Sequence, residues 1–162
     1  MRTVTVVLVL VLLAGVAWAE DVEGYNQVNA GLFFPTDIPS GIDANTGLAL
    51  NYTHLNRSGW YAGAEMTFYT IDVLWESATV TTWAVMGGPI LWQPHGRAYM
   101  GAGIGLSQAS AEVAGYTVSS DTKLAWELIA GMVGEPLGVQ VRYRDGGVPA
   151  NTGVSAALSY TF

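Results

Sequence analysis

The sequence predicts an all-β fold, an eight-stranded antiparallel up-and-down transmembrane β-barrel, and three observations predict it. In the final ten residues Val154, Ala156, Leu158, Tyr160 and Phe162 alternate with Ser155, Ala157, Ser159 and Thr161, so the last strand has one apolar and one polar face. Hydrophobic residues make up 51% of the chain and charged ones only 12%, where a soluble domain carries about 25% charged residues, so the fold needs a low-dielectric neighbour. Eight alternating segments are joined by connections that are tight and long in turn, the pattern of a barrel with short turns at one rim and longer loops at the other.

Residues 1–19 read as a secretory signal. Arg2 precedes an apolar run from Val6 to Val16, and Ala17-Trp18-Ala19 is a small-x-small cleavage site before Glu20. The run is too short for a spanning helix, which needs roughly twenty residues. The domain division is therefore a signal peptide over 1–19 and one barrel domain over 20–162. That domain holds five basic residues against 13 acidic ones, a net charge of −8, which excludes nucleic acid as a partner because phosphates need Lys and Arg. Cysteine is absent, so neither a disulfide nor a lipidated cysteine is available. No later apolar stretch reaches helix-spanning length, and the closed barrel is the other structure that satisfies its backbone in lipid.

The segments fall near 25–34, 47–55, 60–71, 78–92, 98–110, 122–133, 136–145 and 153–162, cut at Gly, Pro, Asn and Asp clusters. The first sends Val28, Ala30, Leu32 and Phe34 outward and Gln27, Asn29 and Gly31 inward. The third sends out Trp60, Ala62, Ala64, Met66 and Phe68 and turns Tyr61, Gly63, Glu65 and Thr67 inward. In the fifth, Met100, Ala102, Ile104 and Leu106 face out. Leu124, Trp126, Leu128, Ala130 and Met132 do so in the sixth, and Leu137, Val139, Val141 and Tyr143 in the seventh. The fourth is interrupted by Gly87-Gly88-Pro89, which predicts a bulge and a change of phase near its turn end. The tight connections are 56–59, 93–97 and 134–135. The long, more acidic ones are 35–46, 72–77, 111–121 and 146–152. Outward aromatics are expected in two girdles, Tyr52, Trp60, Trp92 and Phe162 at the turn rim and Phe34, Phe68, Trp126 and Tyr143 at the loop rim.

Eight strands enclose a space just wide enough for side chains. Gly101, Gly103 and Gly105 share one face of their strand and belong to that interior; their spacing is wrong for a dinucleotide loop and no helix pattern follows. The inward charges are Glu65, Lys123, Glu127, Arg142 and Arg144, with Gln140 among them, and they must pair, because an isolated buried ion costs several kcal/mol. A two-residue turn at Gly134-Glu135 sets Glu127 opposite Arg142, and a four-residue turn sets it opposite Arg144. One of those two contacts is expected.

Three stretches, Ser159-Tyr160-Thr161-Phe162, the strand Arg97-Ala98-Tyr99-Met100-Gly101-Ala102-Gly103-Ile104-Gly105, and Arg142-Tyr143-Arg144, resemble the small eight-stranded outer-membrane barrels, the group that contains the transmembrane domain of outer-membrane protein A and the opacity-type surface proteins. The resemblance spans residues 20–162. It implies insertion by the outer-membrane assembly machinery, with Leu158, Tyr160 and Phe162 in the recognition signal. It also implies residence among outer-membrane lipids and lipopolysaccharide as a monomer, and a structural, adhesive or occasionally pore-forming role.

Some small barrels of this kind modify lipid A, so the two histidines are candidates for acyl chemistry, which needs a nucleophile beside a base. His95 lies in the turn Gln93-Pro94-His95-Gly96. His54 lies in Thr53-His54-Leu55-Asn56-Arg57-Ser58, which lacks the His-x-Ser-Asn pattern of the family deacylases. The acids Asp37, Asp43, Asp72, Glu76, Glu112, Asp121 and Asp145 read as a solvated rim without calcium-site spacing. Neither glycosylation sequon, Asn51-Tyr52-Thr53 or Asn56-Arg57-Ser58, is read as used. The expectation is a non-enzyme without cofactor or metal, a structural or surface-interaction protein of the outer membrane. A narrow pore or small apolar-ligand conduit stands second and a lipid A modifying enzyme third.

Overall fold

The structure, a computed structural model, describes residues 24–73, 76–94 and 97–162; the expected signal segment and His95 lie outside them. The strands are β1 (Gly24–Pro35), β2 (Ile42–Ala44), β3 (Gly47–Asn56), β4 (Trp60–Val73), β5 (Glu76–Trp92), β6 (Ala98–Val113), β7 (Tyr116–Ser119), β8 (Lys123–Met132), β9 (Leu137–Asp145) and β10 (Gly153–Thr161). Eight of them close a barrel in the order β1-β3-β4-β5-β6-β8-β9-β10, every pair antiparallel, with β10 returning to β1 from Gln27↔Thr161 to Pro35↔Gly153. Closure leaves no barrel edge with unpaired backbone groups, the condition for placing strands in lipid.

Period-two alternation decides which side chains look outward. Leu128, Val141 and Leu158 are 52%, 49% and 66% exposed, while Glu127 and Arg142 between them are 0% and 2% exposed. The barrel is thus apolar outside and polar inside. Trp126 and Tyr143 meet on the outer surface toward the loop end, ring centroids 5.4 Å apart, and Tyr160 and Phe162 stack at 6.5 Å toward the turn end.

Three expectations are corrected. The fourth segment, β5, keeps one phase throughout. Its register with β4 runs unbroken from Trp60↔Pro89 to Val73↔Glu76, and Ala78, Val80, Thr82, Ala84, Met86 and Ile90 all face inward. Pro89 lacks an N–H, yet it interrupts only the ladder toward β6, which resumes in the same register at Ile90↔Gly101. Because no phase change occurs, Trp92 points inward and leaves the girdle. Its ring packs 5.8 Å from Tyr25 and 5.6 Å from Tyr99, and its Nε1–H donates to the Asn56 carbonyl at 3.2 Å. Two of the long connections, 72–77 and 111–121, are largely taken up by strands: residues 72–73 and 76–77 belong to β4 and β5, and residues 111–113 and 116–119 to β6 and β7. β4, β5 and β6 run 14, 17 and 16 residues where crossing a bilayer takes about 9–11, so their excess rises beyond the barrel body at the loop end. There β2 extends β4 and β7 extends β6, the latter through a tight turn at Ala114 and Gly115, both with positive φ.

In lipid vesicles, Leu158→Arg should lower unfolding free energy by roughly 2–4 kcal/mol, because Leu158 sits at mid-strand on the outward face. Urea titration followed by tryptophan fluorescence measures this, and an unchanged midpoint would mean that this face does not meet hydrocarbon.

Candidate functional site

The lumen is stacked in layers. At the turn end, inward residues of five strands, Leu55, Tyr61, Ile90, Tyr99 and Ile129, form an apolar plug together with Val133 just beyond β8, with Tyr25 and Trp92 packed against it. Arg57 closes this end from outside, lying 5.2 Å over the Tyr25 ring and donating from Nη2 to its hydroxyl at 2.8 Å.

The middle layer is ionic. Alternation on β4, β8 and β9 brings Glu65, Glu127, Arg142 and Arg144 to one level, all at most 3% exposed. Arg142 Nη1 lies 3.4 Å from Glu127 Oε1 and its Nε 3.9 Å from Glu65 Oε2; Arg144 Nη1 reaches Glu65 Oε1 at 3.0 Å. The backbone register sets Glu127 opposite Arg144, as a four-residue connection requires, yet the Glu127 carboxylate pairs with Arg142, two residues back along the same inner face. Diagonal neighbours on one face are within reach of long side chains, and this frees Arg144 to cross to β4. Lys123 does not join. It is the first residue of β8 and stands exposed above the lumen, where water rather than a carboxylate solvates its ammonium.

Neutral polar groups complete the layer. Tyr61 donates its hydroxyl to Glu127 Oε1 at 2.7 Å, Ser155 donates to Glu65 Oε2 at 3.1 Å, and Arg142 donates from Nε to Gln140 Oε1 at 2.7 Å and from Nη2 to Thr53 Oγ1. Gln140 in turn donates to Tyr99 Oη at 2.7 Å, and Asn29 to Asn51 Oδ1 at 2.5 Å. Two carboxylates and two guanidinium groups cancel, so the charges are compensated by one another, as burial demands. Asn51, Thr53, Tyr99 and Ser155 belong to this network and were not singled out from the sequence, although each lies on the inward phase of its strand. Gly103 has a specific task. A Cβ there would collide with the Tyr61 hydroxyl, so the glycine is the socket that lets Tyr61 span the lumen to Glu127.

The histidine that can be placed, His54, faces outward from β3. Its Nδ1 is 3.0 Å from Asn26 Oδ1, which also accepts from Tyr52 Oη at 2.7 Å. Ser58 instead bonds through its N–H to Asn56 Oδ1 at 2.7 Å. Among the described residues no three His, Asp or Glu side chains converge as a cation site.

This architecture defines a small membrane-type β-barrel with a filled interior. No family model matches the sequence, and no curated protein does. Solved structures of eight-stranded outer-membrane barrels do match in fold. OprG from Pseudomonas aeruginosa superposes with a TM-score of 0.57 at 14% identity, covering 87% of this chain and 97% of OprG. Ail, the attachment invasion locus protein of Yersinia pestis, gives 0.53 at 12% identity over 86% of this chain and 97% of Ail. Neisserial surface protein A gives 0.53 at 16% identity over 85% and 94%. At these identities the likeness is one of fold.

Glu127→Ala should cost about 3–5 kcal/mol, since it strands the Arg142 guanidinium with Glu65 at 3.9 Å as its remaining ionic partner. The double variant Glu127→Ala/Arg142→Met should recover part of that loss in equilibrium unfolding; equal or greater loss would show that the ion pair is not what the layer depends on. Gly103→Ala should destabilise by about 1–3 kcal/mol by expelling Tyr61, read by the same titration.

Proposed function

We propose that the chain is an exported integral protein of the Gram-negative outer membrane with a non-catalytic structural or surface-interaction role. The observation that carries this is the opposition of its two surfaces: an exterior with exposed apolar side chains such as Leu128, Val141 and Leu158 along mid-strand, around a lumen whose charges are neutralised and buried, with Glu127, Arg142, Arg144 and Gln140 at most 2% exposed. An apolar exterior is unfavourable in water and suited to hydrocarbon, and a sealed lumen is unsuited to conduction. In this reading residues 1–19 are removed on export, the turn end faces the periplasm and the loop end the cell exterior. Outer-membrane lipids and lipopolysaccharide surround a monomer that the assembly machinery inserts by way of Leu158, Tyr160 and Phe162. Among the described residues His54 is engaged with Asn26 Oδ1 and Ser58 with Asn56 Oδ1, an arrangement that supports a structural part for both over lipid A chemistry.

The solved structure of Ail is a complex with the heparin analogue sucrose octasulfate. Here the loop end carries Asp37, Asp43, Asp72, Glu112, Asp121 and Asp145 with Lys123 as its cation, so a sulfated polyanion would meet like charge, and the surface role we propose is toward other partners. A conduit for small apolar molecules would require the ionic layer to open, which the interlocked Glu65–Arg142–Glu127 pairs oppose.

Membrane fractionation should place the protein with the outer membrane, in a band whose gel mobility shifts on heating. Single-channel recording of the purified protein in planar bilayers should show no stable conductance. A steady open level would overturn the sealed-lumen reading in favour of a pore.

A further inference from the structure

Above the ionic layer the inner face changes character. Along β4 the inward series passes from Thr67 to Tyr69 and Ile71, along β5 from Thr82 to Val80 and Ala78, and along β6 from Ser107 to Ala109 and Ala111. Water reaches a barrel mouth, so inward residues there are expected to become more polar, not less. With Ile42 of β2 and Val118 of β7, this wall forms one side of a half-open cavity of about 290 Å³; the segment at Ile38-Pro39 and the turn at Val148-Pro149-Ala150 form the other. Tyr69 holds that turn in place by donating its hydroxyl to the Ala150 carbonyl at 2.5 Å. The volume is at the small end of ligand sites, roughly 300–1,000 Å³, which suits a single small molecule and not a whole lipid.

The lining also restricts chemistry. The cavity hydroxyls have committed their protons: Tyr69 to Ala150, Ser110 to the Thr81 carbonyl at 3.3 Å, and Ser120 to the Asp121 carbonyl at 3.0 Å. A carboxylate or phosphate entering the cavity would find no side-chain donor. It would also pass Asp37, Asp43, Asp72, Glu112 and Asp121, which stand on the very segments that build the walls. Apolar surface attracts and the acidic rim repels anions, by the field that the summed charges set up over the opening.

We propose that this cavity binds a small apolar molecule that is neutral or carries a positive charge, and that it rejects anions such as fatty acids. The proposal rests on the surface reading only for which side of the membrane the mouth faces, and a failure of that reading would appear in fractionation, not in the binding experiment.

The test uses the barrel in lipid nanodiscs with Ile, Leu and Val methyl labels and three probes of one shape: 1-naphthylmethanol, 1-naphthylmethylammonium and 1-naphthoate. The first two should shift the Ile42, Ile71 and Val80 methyls saturably while the lipid-facing Leu128 and Val141 methyls do not follow. Naphthoate should bind about tenfold more weakly. Asp43→Asn with Glu112→Gln, both on the exposed faces of their strands, should narrow that gap. Ala111→Phe should fill the cavity and abolish saturation, and Val118→Asn, an exposed position on β7, should weaken the neutral probe several-fold. Shifts that rise linearly and equally at Leu128 and Ile71 would mean partition into lipid and overturn the site. Naphthoate binding as tightly as the alcohol would overturn the charge selection.

Discussion

The pairing of β10 with β1 is the contact on which the rest of the molecule depends. It converts a sheet with two open edges into a ring, and in a ring every barrel strand has a hydrogen-bonded neighbour on each side. Closure also gives the alternation along each strand a meaning, because only a closed sheet has a lumen and an exterior. Ala30, Leu158 and Val139 then share the outer surface across three strands, while Asn29 and Ser159 share the inner one. A shift of one residue at this seam would invert both sets on the closing strand.

The lumen shows how a narrow polar interior compensates buried charge with its own side chains. Four ions would be costly there singly; as two acids and two bases they neutralise one another, while Tyr61 and Ser155 donate to the carboxylates and Gln140 accepts from Arg142. Space is settled by the same residues. Tyr61 can reach across only because β6 presents Gly103, and Tyr99 likewise approaches Gly131 on β8. The result is a strut of interlocked side chains between an apolar plug below and an apolar mouth above.

The loop end departs most from a minimal barrel. The long strands β4, β5 and β6 carry the sheet beyond the depth that a bilayer needs, and β2 and β7 widen it. Their concave side is apolar and their convex side bears the acids, so one short stretch of sheet offers a greasy hollow within a negative rim. The rim and the hollow follow from one alternation, since Asp72 and Ile71, or Glu112 and Ala111, are neighbours in sequence that face opposite ways.

Much of this was legible in the residues. The eight barrel segments, the outward apolar series and the buried Glu65, Glu127, Arg142 and Arg144 all follow from a period of two, which is local and survives without knowledge of any partner strand. What failed required information from across the sheet. The Gly87-Gly88-Pro89 interruption looks like a bulge in isolation, but β4 pairs through it and holds the phase, which carries Trp92 inward. The connection 72–77 reads as loop because it carries Asp72 and Glu76 between two strand segments, yet Asp72 and Val73 pair with Ser77 and Glu76 in continuation of the β4–β5 ladder. Lys123 has the inward phase but stands above the lumen, because depth is set by how strands stagger and not by alternation. Which arginine meets Glu127 was open for the same reason: sequence sets the face on which a side chain lies, whereas tilt and register around the closed ring decide which faces meet and at what height.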